Sequence, residues 1–200
     1  MGKYSRDINL KLEAFTGNFD DFIEYISRLI GGRAMMDYAY IFASIKDMPY
    51  RWIFDDPKVS DTDLNQILPL TKECAAQLWA KFISGQQQHL ALHFTKVITE
   101  NEQHWVRSLE RLDYNWEDDW NANDMDSLGA FLNSCFDVPQ NESVLFFWHQ
   151  QSAVKTKWGV FMRNWINFLY EDEAPVLFIE SQNLVIVFRP MGIILGGKKG

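Results

Sequence analysis

His89 and His93, in "HLALH", stand four residues apart, so on a helix both imidazoles could reach one metal ion. The zinc-protease pattern needs Glu directly after the first His, and here that position is Leu90. A third ligand such as His104 is required by no spacing, and two half-exposed helix histidines are the plainer reading. Two acidic clusters carry aromatics: "WEDDW" (Trp116 to Trp120) and "YEDE" (Tyr170 to Glu173). Glycosidases use paired carboxyls about 5–10 Å apart across a cleft, with tryptophans as sugar platforms. Adjacent acids in one loop point in different directions, and neither cluster shows which carboxyl would be kept protonated. A small-molecule hydrolase or other enzyme using Glu171, Asp172 or the His89/His93 pair is therefore the second expectation. No Ser, Cys or Thr stands in a recognisable nucleophile elbow, and "FTG" and "WGV" are not phosphate-binding loops. No cofactor is implied.

Charge points elsewhere. The formal charge of the 200-residue chain is −8. Residues 101–145 hold ten acids against Arg107 and Arg111, and the rest of the chain sums to zero. Phosphate backbones would be repelled there, which disfavours nucleic acid and favours a basic protein. The leading expectation is a non-enzymatic binding protein whose acidic segment, 113–126, meets a basic partner, for example a toxin. Asp118, Asp119, Asp124 and Asp126 would steer association, and Trp116 and Trp120 would anchor it. A third reading gives the acids no role beyond keeping an aromatic-rich chain in solution.

The elements that must position these groups read as α+β. "INLKLEAF" alternates like a half-buried strand. Phe19, Phe22, Ile23, Ile26, Leu29 and Ile30 make one helical face, closed by Gly31 and Gly32, and "YAYIFASI" reads as a strand. Residues 1–45 thus form a β-α-β element. It could be appended to a main domain over 46–200, since Met36 offers a second start. The middle reads as helical. Ser60 and Asp63 suggest a capping box, Thr71 opens a helix, 86–112 have helical spacing, and Asp126 or Ser127 caps a helix to 136.

From Ser143 the pattern changes to a buried strand, "SVLFFWH", and then to "TKWGVFMRNWINFLY". Thr156 can cap a helix with Trp158, Phe161, Trp165, Phe168 and Leu169 on one face, which is core packing rather than a stacking platform or membrane surface. "PVLFIE", "LVIVFR" and "GIIL" form a meander turning at "SQN" and "PMG". The fold expected is an N-terminal β-α-β unit, a helical middle, and a mostly antiparallel C-terminal sheet packed on the aromatic helix.

No run reaches the roughly 18 uninterrupted apolar residues of a membrane span. The N-terminus has no secretory apolar region. Cys74 and Cys135 read as buried free thiols in a reducing cytoplasm.

Two stretches, "RWIFDDPKVSDTDLNQILPLTKECAAQLWAKFIS" (51–84) and "VLFFWHQQSAVKTKWGVFMRNWINFLYEDEAPVLF" (144–178), resemble a bacterial family, mainly gammaproteobacterial, without an assigned activity. The order of aromatic helix, acidic turn and strand is also similar to small immunity-type proteins of bacterial toxin systems. The resemblance implies a bacterial protein and carries over no functional residue.

Overall fold

The computed structural model describes residues 40–44, 46, 48, 50–84, 109–170 and 174–198. The β-α-β element over 1–45, apart from 40–44, lies outside these residues, as do Met36, His89, His93, His104, Glu171 and Asp172. Of the strand expected over 38–45, the described residues show one antiparallel bridge, Phe42 to Leu70.

Among the described residues seven strands make one antiparallel sheet: β1 Leu68–Pro69, β2 Glu110–Asn115, β3 Ser143–His149, β4 Ser152–Lys157, β5 Val176–Ile179, β6 Leu184–Arg189 and β7 Ile193–Lys198. Their order is β1-β4-β3-β5-β6-β7-β2, and every pairing is antiparallel. Among the described residues five α-helices accompany the sheet: α1 Asp61–Leu64, α2 Lys72–Phe82, α3 Trp116–Ala122, α4 Ser127–Cys135 and α5 Trp158–Phe168. The fold is α+β, and the C-terminal meander β5-β6-β7 has the turns expected of it.

Both faces of β3 are covered, which explains its unbroken apolar sequence. On one side Phe146 lies 5.7 Å from Phe161 and 5.1 Å from Phe168 of α5. On the other Phe147 meets Trp79 of α2 at 5.7 Å. Trp158, Phe161, Trp165, Phe168 and Leu169 are all buried. Full burial of each such side chain contributes about 1.5–3 kcal/mol, so the stripe is core.

Four expectations need correction. The helix expected over 86–112 is a strand at its described end, because Leu112 and Tyr114 alternate with exposed Arg111, Asp113 and Asn115 along β2. The i, i+3 spacing of Leu109 and Leu112 fits a helical face, while the strand period of two is carried by Leu112 and Tyr114. Thr156 does not cap α5. It sits buried inside β4, a strand hidden in the polar "QQSAVKTK", and Lys157 takes the N-cap position without a side-chain bond. Ser60 does cap α1, accepting from the Asp63 amide at 3.1 Å, but the Asp63 carboxylate turns away to Arg163 and Asn164 instead of completing a capping box. Cys74 is buried as expected, whereas Cys135 ends α4 exposed.

Candidate functional site

The acidic segment is built from a strand, a sharp turn and two short helices. Asn115 ends β2 and caps α3, its Oδ1 accepting from the Glu117 amide at 3.2 Å. Glu117, Asp118 and Asp119 fill the first turn of α3, where the helix dipole favours negative charge. Asn123 closes the helix in the left-handed region, at φ 54°. Asp124 then starts α4: its carboxylate accepts from the amides of Asp126 and Ser127 at 2.9 and 3.1 Å and from Ser127 Oγ at 2.6 Å. These bonds hold its carboxyl below the ordinary value, that of Ser127 Oγ leading. Asp124 is thus a helix cap, while Asp126, in the nominal N-cap position, makes no side-chain cap bond and is exposed.

Indole N–H groups fasten this segment to the core. Trp165 Nε1 donates to Met125 O at 3.0 Å, and Trp120 Nε1 donates back to Ile166 O at 3.3 Å. Trp116 Nε1 donates to Arg189 O at 3.1 Å, and Trp116 is only 2 % exposed. Trp116 therefore belongs to the core, whereas Trp120 is half-buried at the surface.

Between β2, α3 and the β6–β7 turn runs an open groove of about 740 Å³, whose walls include Arg111, Asp113, Tyr114, Asp118, Asp119 and Met191. The Tyr114 hydroxyl donates to the Asp119 carboxylate, and its ring stacks on Phe131 with centroids 4.2 Å apart. Burial, then that hydrogen bond, then the charges of Asp119 and Asp124 push the Tyr114 phenol well above its ordinary value. The groove pairs several fixed anions with one cation, Arg111, and a phenol that stays protonated. Such an arrangement attracts positive charge.

On the far side of α3 lies a smaller notch of about 200 Å³, lined by Trp116, Glu117, Trp120, Asn121, Leu169 and Tyr170. Tyr170 opens the second acidic cluster of the sequence, and the fold brings it beside Trp116, Glu117 and Trp120 of the first. Its ring centroid lies 6.1 Å from that of Trp120 and 5.0 Å from that of Trp52. Sequence reasoning missed Trp52, Tyr114 and Met191. Tyr114 alone had a local signal, its proximity to the acids, and the others are placed by distant contacts. Among the described residues no three His, Cys, Asp or Glu side chains group so as to hold a metal, and no helix is long and apolar enough to cross a membrane.

No curated protein and no solved structure matches the chain. A family described as "Protein of unknown function (DUF2947)" matches residues 42–197, and the chain belongs to that family.

Proposed function

We propose that the protein is a non-enzymatic binding protein whose acidic face, built on β2, α3 and the start of α4, meets a basic protein. The observation that carries this reading is the open groove in which, among the described residues that line it, Asp113, Asp118 and Asp119 stand against one base, Arg111. Asp126 is exposed at the start of α4, close in sequence to the groove residue Ser127. Clustered surface anions raise association rates with cationic partners and lose that effect as salt rises. Trp120 remains a candidate anchor, while buried Trp116 holds the helix in place. The finer reading, an immunity-type protein acting on a toxin in a bacterial cytoplasm, is supported only by the order of aromatic helix, acidic turn and strand. The start of the family match at residue 42 supports treating 1–45 as an element appended to the domain.

The test is a pull-down from native lysate with mass spectrometry, comparing wild type with an Asp113→Asn, Asp118→Asn, Asp126→Asn variant. These three acids are exposed, and the set spares Asp124, which caps α4, and Asp119, which holds Tyr114. A basic protein recovered by wild type alone, in amounts that fall as salt is raised, is the expected result. Recovery of the same proteins by both sinks the reading and leaves the acids as a solubility feature.

A further inference from the structure

Trp52, Trp120 and Tyr170 come from three separate parts of the chain and meet at one surface position. Trp52 belongs to a 3-10 helix, Arg51–Asp55, and packs edge-on against Tyr170 at an interplanar angle of 84°. Trp120 approaches the same ring from α3 at 64°. Trp52 is 55 % and Tyr170 49 % exposed, so two large rings are held in a fixed arrangement while much of their surface faces water. Beside them opens the notch walled by Trp120, Tyr170, Glu117 and Asn121.

The chemistry of these walls selects the occupant. Aromatic faces attract cations through the ring quadrupole. Glu117 adds a full negative charge, so a phosphate or carboxylate would be repelled. An aliphatic side chain would desolvate Glu117 without offering it a partner. Ligand and cofactor sites occupy roughly 300–1,000 Å³, and at about 200 Å³ this notch suits one side chain. Guanidinium fits both demands, since it is planar, weakly hydrated, stacks on aromatic rings and bonds a carboxylate through two N–H groups. The more strongly hydrated ammonium of lysine gains less from the same walls. Charge complementarity extends beyond the notch, because Glu117 and Asp118 are adjacent on α3 and Asp118 lines the acidic groove.

We propose that Trp120, Tyr170 and Glu117 form a receptor for one arginine side chain of the basic partner, with Trp52 buttressing Tyr170. This rests on the reading of the acidic face as a docking surface for a basic protein and names the residue type that anchors it.

The experiment is calorimetric titration of the full chain at low salt with a capped arginine-rich peptide and its lysine-for-arginine counterpart of equal charge. Wild type is expected to bind the arginine peptide about 3–5-fold tighter. Tyr170→Ala removes that preference by weakening the arginine peptide more than the lysine one, and Glu117→Gln acts in the same direction. If Tyr170→Ala fails to give a native circular-dichroism spectrum, Tyr170→Leu keeps apolar bulk without the ring and serves in its place. Asp113→Asn with Asp118→Asn weakens both peptides alike and reports on the acidic face alone. Equal binding of the two peptides, unaffected at Tyr170 yet lost with the aspartates, overturns the arginine receptor and leaves the acidic face standing. Failure of both peptides to bind overturns both.

Discussion

Asn115 Oδ1 occupies the space that a Cβ on Gly192 would need, at 1.4 Å from where that atom would lie. Gly192 also has a φ of +68°, a backbone region that L side chains rarely adopt. The same Asn115 oxygen caps α3, and Gly192 O accepts from the Trp116 amide at 3.3 Å. A turn between two C-terminal strands thus sets where the acidic helix begins. Gly192→Ala is expected to cost about 1–3 kcal/mol by combining overpacking with backbone strain. Urea unfolding followed by circular dichroism measures it, and a cost below half a kcal/mol, on the order of surface substitutions generally, would show the turn to be tolerant.

The neighbouring Met191 has a φ of 67° and is 79 % exposed. A side chain with no packing to lose holds a conformation that asparagine and glycine adopt at less cost. Met191→Asn should raise stability by about 0.5–1 kcal/mol, read as a higher melting temperature. A lower one would mean that the methionine packs against the groove.

Asp63 and Arg163 join α1 to α5 across 100 positions, with Nη2–Oδ1 at 2.6 Å and Nε–Oδ2 at 3.2 Å. Asn164 adds a bond of 3.0 Å to the same carboxylate and another of 2.8 Å to Val160 O, at the position where α5 departs from helical geometry. Asp63 is 6 % exposed, while the Arg163 side chain is mostly in solvent. Removing the arginine strands a buried carboxylate, whereas removing the aspartate only returns a guanidinium to water. Arg163→Ala should therefore cost about 2–3 kcal/mol, and Asp63→Asn about 1 kcal/mol. Equal costs in chemical unfolding would contradict this asymmetry.

The Arg163 bond, followed by those from Asn164 and Ser60, holds the Asp63 carboxyl below its ordinary value of 3.8 despite burial. A folded-state value below the unfolded one gives stability that is present above about pH 4 and lost as pH falls through the folded value. The gap in stability between wild type and Arg163→Ala should be full at pH 6 and shrink below pH 4.

Tyr114 has the opposite sign. Its phenol is raised by burial and then by Asp119, so its contribution is present below pH 10 and lost only as pH rises through the raised folded value. In an alkaline absorbance titration Tyr114 should stay protonated at pH 11. Asp119→Asn should lower that transition without restoring the ordinary value, because the burial remains. Tyr114 titrating normally in wild type would refute the Tyr114–Asp119 contact.

Local periodicity carried much of the fold. The face of α5, the caps Thr71 and Ser60, and the meander of β5, β6 and β7 follow from spacings of 3.6 or two residues and from turn residues such as Asn183, which adopts φ 50°. Such features depend on neighbours in the chain, and the sequence alone determined them, along with a negative charge concentrated in 101–145. β2 and β4 are not legible: β2 pairs with β7 from the far end of the chain, and the polar "SAVKTK" of β4 gives little sign of its hairpin with β3. Trp116 looked like an anchor because its neighbours are acidic, yet the carbonyl of Arg189, 73 positions away, draws its indole inward. The meeting of Trp52, Trp120 and Tyr170 likewise has no local signature. Tertiary structure alone decided which acids face the groove, which cap a helix, and which aromatics stay at the surface. Burial and hydrogen-bond partners settle those roles, and both are contributed by residues far away in sequence.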